Sequence, residues 1–191
     1  MKPEETRTVH ELIQSVNAGH RPEHVFFWGH IPSEDGSVNQ SCLSQWYAAP
    51  FEVDGIEFLT AEHYMMYRKA RLFDDSDAAE KVMQADTPGE AKKIGRTVKG
   101  FRQEEWDKHC IEIVIQGNIS KFGQNKEILR YLLATKNKVL VEASPCNKMW
   151  GIGLGCHATG IGNPSAWKGK NLLGFALMDA RARLTEKCPQ A

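Results

Sequence analysis

The sequence lacks paired cysteines, long apolar runs and an excess of either charge, and each absence removes a class of function. Its five cysteines (Cys42, Cys110, Cys146, Cys156 and Cys188) are odd in number and widely spaced, with no Cys-x-x-Cys pair. That usage fits a reducing compartment rather than a disulfide framework. No apolar run reaches membrane-spanning length, and the start of the chain (Lys2, Glu4, Glu5, Arg7) is not a basic segment followed by an apolar one. A cytoplasmic protein with no membrane partner is expected. Lys+Arg and Asp+Glu each number 24, so no global field draws the chain to nucleic acid, and a polyanion partner would need a local patch.

What is present suffices for a globular core: 191 residues, 41% of them hydrophobic, can bury a sizeable interior without disulfides or metals. The pattern predicts an N-terminal helical extension over residues 1–22 and a single domain over 23–187, mainly helical α+β with a small sheet that includes a β-hairpin. Thr8-Val9-His10-Glu11 reads as a capping box opening a short amphipathic helix that Gly19 stops. Residues 24–28 (His-Val-Phe-Phe-Trp) read as a buried strand and residues 32–41 as a loop. Phe51-Glu52-Val53 and Ile56-Glu57-Phe58 flank Asp54-Gly55, a strong hairpin signal. Thr60 can then cap a helix running toward Leu72. Further helices are expected near 77–84, from Thr87-Pro88-Gly89-Glu90, over 104–120 and over 125–133, with a strand at Val139-Leu140-Val141. Residues 151–174 hold seven of the 16 glycines and should be irregular. Asn171 is expected to cap a final helix whose buried stripe includes Leu173, Ala176, Leu177, Ala180 and Leu184.

Two constellations could carry chemistry. Glu62 and Lys69, seven residues apart on the Thr60 helix, share a face and stand roughly 10 Å apart along the axis. Glu62 also fits an exposed first-turn acid, but Met65, Met66 and Phe73 indicate that this face points inward, where a charge must be paired or used. The helix dipole would keep Glu62 ionised, suited to orienting water or supporting positive charge. A partly desolvated Lys69 would lose its proton more readily and could act as an amine nucleophile. The second constellation is Met149-Trp150-Gly151-Ile152-Gly153-Leu154-Gly155 with Trp167-Lys168-Gly169-Lys170-Asn171. It matches neither a Rossmann nor a P-loop fingerprint, but its glycines admit close backbone approach and Trp150 offers a stacking face. Phosphate could be held by Lys168 or Lys170 at the last helix, or by Arg96, whereas Lys92 and Lys93 read as a solvated helix face. Cys146, Cys156 and His157 match no zinc spacing, and buried thiols are the expectation, with no metal and no cofactor.

Over residues 26–184 the chain resembles the YbiA-like family, also called the NADAR domain. The resemblance is carried by Phe26-Phe27, Leu43-Ser44-Gln45-Trp46-Tyr47, the stretch from Phe51 to Lys69 with Thr60-Ala61-Glu62-His63-Tyr64 at its centre, Ile94-Gly95-Arg96, Trp106-Asp107, Met149-Trp150-Gly151 and Gly169-Lys170-Asn171-Leu172-Leu173-Gly174. It implies a YbiA-like fold and an N-glycosidase acting on ribosylamino-pyrimidine phosphates of early riboflavin synthesis, or one removing ADP-ribose from guanine amino groups. It makes Glu62 the catalytic carboxylate and Lys69 an amine catalyst. Trp150, Asn171, Trp46 and Gly151 become substrate contacts beside Arg96. The chain departs from the short riboflavin-linked members in having Ile152, where those have Asp, and a longer loop over residues 156–167. A small ribosylated phosphate is the expected partner. Nucleic acid is less favoured, because it needs a positive rim such as Lys92, Lys93, Lys99 and Arg102. A binding module for ADP-ribose or NAD without turnover is the reading from a different class.

Overall fold

The computed structural model describes residues 1–187. Cys188 lies outside them. The chain forms two compact units, one from Met1–Ser44 with the residues from Glu127 onward, the other from Gln45–Lys126.

The first unit opens with α1 (Val9–Asn17), whose capping box forms as expected: Thr8 Oγ1 accepts from Glu11 N–H, and the Glu11 carboxylate accepts from Thr8 N–H. β1 (His24–Phe27) follows. Trp28, expected to end this strand inside the core, falls beyond it and is 60% exposed, because Phe27 is the last residue paired in the sheet. The expected loop closes on a 3₁₀ turn, Gln40–Leu43, which Asn39 caps.

The second unit contains β2 (Phe51–Val53) and β3 (Ile56–Phe58), antiparallel about Asp54 and Gly55 with φ of 52° and 78°. Positive φ at both turn residues is what an Asp-Gly hairpin turn requires. Phe51 and Phe58 are buried while Glu52 and Glu57 face solvent, and Phe58 meets the Tyr64 ring edge-on at 5.1 Å. Four helices complete the unit: α2 (Ala61–Leu72), α3 (Ser76–Met83), α4 (Pro88–Gly95) and α5 (Gln103–Gln124). α2 packs against the other three. Two crossings depend on missing side chains. A Cβ on Gly95 would stand 2.0 Å from Met66 Sδ, and one on Gly117 2.6 Å from Tyr64 Cδ1. The expected α5 stripe of Trp106, Cys110, Ile113, Val114 and Gly117 is buried.

The chain returns to the first unit with α6 (Lys126–Ala134), β4 (Val139–Glu142) and α7 (Leu172–Lys187). β4 runs parallel to β1, so the strands form two separate two-stranded sheets rather than one. Val139, Leu140 and Val141 are fully buried, as befits a strand covered on both faces. Asn171 occupies the start of α7, its carbonyl accepting Phe175 N–H, but its side chain does not serve as the expected helix cap. The Asn171 amide instead lies along the free edge of β4, accepting from Glu142 N–H at 3.0 Å and donating to the Leu140 carbonyl at 2.9 Å. It supplies the hydrogen bonds of a missing neighbour strand, which a buried edge needs, and it holds φ at 51° to do so.

Gly174 lets α7 lie against β4, since a Cβ there would fall 2.0 Å from the Leu140 carbonyl oxygen. Gly174→Ala is therefore expected to cost about 1–3 kcal/mol or more through forced displacement of backbone, read as a lower urea midpoint at unchanged m-value. An unchanged midpoint would show that α7 has room to move.

Candidate active site

The site in the second unit is built on the start of α2. Thr60, in extended conformation, accepts from His63 N–H and starts the helix, and every residue from Ala61 to Met66 is buried. Glu62, 5% exposed, therefore has no outer face to occupy. Its N–H donates to the Gln45 carbonyl at 3.0 Å. The Gln45 side chain in turn accepts from Asn118 of α5 at 2.9 Å, and Asn118 also donates to the Val114 carbonyl. The first turn is thus anchored by backbone and by a buried amide pair.

The environment of Glu62 is a balance. Burial pushes its carboxyl above the ordinary carboxylate range, opposed by the Lys92 charge, a hydrogen bond from the Trp46 side chain and the Arg96 charge, in that order. The helix position alone had suggested an untroubled ion, and the correction is that desolvation outweighs it. Lys92 Nζ stands 3.9 Å from Glu62 Oε1 and 5.6 Å from the centroid of the Trp46 ring. The indole N–H, the only hydrogen-bonding group Trp46 has, must be the donor to the carboxylate. Lys92 was expected on a solvated face with Lys93. Only Lys93 is exposed, and Lys92 turns inward toward the acid. Arg96, one helical turn further along, is exposed.

Lys69 is half-buried. Its ammonium donates to the Gly95 carbonyl at 2.7 Å and lies 4.1 Å from the Phe101 ring centroid and 5.7 Å from that of Trp106. Burial lowers its pKa, the direction a nucleophilic amine needs. The carbonyl and the two rings favour the charged form. Lys69 thereby caps the C-terminal end of α4. One short helix, α4, accordingly partners both α2 residues, Glu62 through Lys92 and Lys69 through Gly95.

In the first unit, residues 147–153 and 168–173 are laced by backbone bonds, Lys168 N–H to the Ile152 carbonyl at 2.8 Å and Lys170 N–H to the Lys148 carbonyl at 2.8 Å among them. Half-buried Trp150 donates its backbone N–H to Asn147 Oδ1 at 3.0 Å. A Cβ on Gly151 would meet the Glu142 carbonyl at 2.8 Å, and one on Gly169 the Gly151 carbonyl at 2.3 Å. These glycines serve close chain approach. Ile152 is fully buried, so the residue that departs from the short family members is core. Cys146 and Cys156 are exposed free thiols, not the buried ones expected. Among the described residues no three His, Cys, Asp or Glu side chains converge as a metal site would require, and no helix is long and apolar enough to cross a membrane.

The NADAR domain model matches residues 26–185. The chain is 41% identical over 164 residues to N-glycosidase R617 of Acanthamoeba polyphaga mimivirus, covering 83% of this chain and 95% of the relative. It is 32% identical over 142 residues to N-glycosidase YbiA of Escherichia coli, covering 74% and 80%. The NMR structure of E. coli YbiA superposes with a TM-score of 0.69 at 27% identity, covering 90% of each chain. A third relative, Riboflavin biosynthesis protein VVA0006 of Vibrio vulnificus, is 30% identical over 151 residues, which span 79% of this chain and 37% of that protein. The chain belongs to the NADAR family, with the mainly helical α+β fold of YbiA. Its activity class is hydrolysis of N-glycosyl bonds.

A carboxyl whose folded pKa is raised costs stability when it ionises: the folded state holds the proton more tightly than the unfolded chain, so stability falls as pH rises from about 4.5 through the folded value. Glu62→Gln is therefore expected to raise the melting temperature at pH 7, by roughly 2–4 °C per kcal/mol relieved. The gain should vanish below about pH 4, where the unfolded acid is also protonated. Calorimetry of both proteins across pH checks this; a Glu62→Gln protein less stable than wild type at pH 7 would refute it.

Proposed function

We propose that the chain hydrolyses the bond between ribose C1′ and the exocyclic amine of a base-like group, with ribosylamino-pyrimidine phosphates of riboflavin biosynthesis as the substrate class. The observation that carries this reading is Glu62, a buried carboxylate held by a neutral indole donor and a single lysine 3.9 Å away. The C1′–N electron pair leaves with the amine nitrogen, which takes up a proton, and positive charge develops at C1′ and the ring oxygen. Glu62 answers that charge and orients the water that adds to C1′, whose proton is released. The products are the free amine and the ribose phosphate, and no cofactor is consumed.

The name of the Vibrio relative supports the riboflavin-linked substrate. Removal of ADP-ribose from guanine in nucleic acid is less well supported, because the basic rim it needs is thinned: Lys92 turns toward Glu62 and Lys99 pairs with Asp77 at 3.2 Å. Arg96 is assigned to the substrate phosphate. Trp46 is assigned to holding Glu62. Trp150 and Gly151 enter as substrate contacts through the family resemblance, and Asn171 through the backbone it fixes. A Schiff base on Lys69 would require the amine to leave the Gly95 carbonyl and shed a proton. The exposed thiols of Cys146 and Cys156 fit a reducing compartment, the cytoplasm.

Turnover of a ribosylamino-pyrimidinone phosphate and of ADP-ribosylated guanosine, each followed by release of the base-like product, tests the reading. Glu62→Gln should lower kcat by roughly 10³-fold or more, and undiminished cleavage would overturn the mechanism. The wild-type rate should fall as pH drops through the raised pKa of Glu62, because the ionised form acts. Borohydride added during turnover should trap a covalent adduct that Lys69→Ala abolishes if Lys69 is the nucleophile. Full activity of Lys69→Ala with no adduct would confine Lys69 to capping α4.

A further inference from the structure

His63 follows Glu62 in the chain, is 2% exposed, and has no part in the chemistry above. Its ring makes two hydrogen bonds, Nδ1 with Thr60 Oγ1 at 2.8 Å and Nε2 with the Ala85 carbonyl at 3.1 Å. A carbonyl only accepts, so Nε2 carries a hydrogen, and in the neutral ring Nδ1 is then the acceptor and the Thr60 hydroxyl donates to it. The same hydroxyl oxygen accepts the His63 backbone N–H, so Thr60 and His63 hold each other at the helix start. Burial lowers the pKa of the ring while Glu90 of α4 and the Ala85 carbonyl raise it. The neutral ring with hydrogen on Nε2 satisfies both bonds, and burial favours it over the charged form.

The far end of that strut matters more. Ala85 lies two residues before Thr87, which caps α4. Between them the chain is tied to α4, since Glu90 Oε2 accepts from both Asp86 N–H and Thr87 N–H at 3.1 Å. α4 then carries Lys92 to Glu62. We propose that His63 is a positioning residue, a neutral imidazole strut joining the start of α2 to the start of α4 and so setting the separation of Glu62 from Lys92. The catalytic consequence rests on the role proposed for Glu62; the geometric one does not.

The test uses variants that distinguish the two ring nitrogens. A glutamine amide nitrogen falls close to the place of Nε2 and keeps the Ala85 bond, an asparagine amide reaches only the place of Nδ1, and leucine keeps bulk without either bond. The first readout is the titration of the Glu62 carboxyl by ¹³C NMR, assigned by its loss in Glu62→Gln. Glu62 is faced by Lys92 of α4 and by Arg96 at its C-terminal end, so releasing α4 should raise its midpoint. In His63→Leu and His63→Asn the midpoint should move up, and kcat should fall about tenfold or more with KM within about threefold. In His63→Gln both should stay near wild type. A merely structural histidine would lower the folded fraction without moving the Glu62 midpoint of the folded protein. An unmoved midpoint in folded His63→Leu, or His63→Gln behaving like it, overturns the proposal. If His63→Leu does not fold, His63→Asn against His63→Gln decides by the same criteria. Wild type that hydrolyses neither substrate would defeat the proposed function and leave the titration still testing His63.

Discussion

The burial of one carboxylate is the constraint on which the second unit is arranged. Removing Glu62 from water carries a desolvation cost that only nearby partners can offset, and the unit supplies them from separate parts of the chain. Trp46 comes from the segment before the hairpin, Lys92 from α4, Arg96 from the residue that follows α4, and the anchoring carbonyl from Gln45. None of these contacts is local to α2. Each requires a close crossing, and the crossing of α2 with α4 depends on Gly95, where a methyl group would occupy the position of the Met66 sulfur. Site and packing are therefore the same problem: the glycine that lets α4 approach is also the residue whose carbonyl receives Lys69.

The first unit solves a different problem with a similar device. A two-stranded parallel sheet whose β4 is buried on both faces leaves one edge of that strand without a strand partner. The Asn171 amide fills that edge, and Gly174 allows α7 to sit close enough for it to do so. Polar satisfaction thus sets where α7 begins, and apolar packing of Leu173, Ala176, Leu177 and Ala180 follows from that placement.

Local signals were well expressed in the sequence, and distant ones were not. Both capping boxes, the Asp-Gly turn, the Thr60 cap and the α5 stripe are encoded within a few residues and appear where the pattern puts them. Glu62 could be picked out because Met65 and Met66 share its helix. Lys92 could not: a lysine beside a second lysine on a short helix has the signature of a wet surface, and only the crossing of α4 over α2 turns one of the pair inward. The side chain of Asn171 is hidden for the same reason: Asn before a leucine run fits a helix cap, and nothing nearby in the chain reveals that an edge of β4 needs its amide. The pairing of β1 with β4, more than a hundred residues apart in the chain, carries no local mark at all.

The looseness of the ion pair at Glu62 is itself an argument about function. A carboxylate kept solely for stability would be expected to make short, bidentate contacts, which recover most of the desolvation cost. Glu62 has one lysine at 3.9 Å, itself partly exposed and shared with the Trp46 ring, and one neutral indole donor. When ionised, the carboxylate is held in place and only partly neutralised by Lys92 and the more distant Arg96 charge. A negative charge left only partly answered in a water-poor site is what a developing cation would complete, and the interaction would be stronger in the transition state than in the ground state. If Glu62 acts as proposed, drawing Lys92 closer would stabilise the resting protein and spend that advantage, so the distance between α2 and α4 would bear on activity as well as on packing.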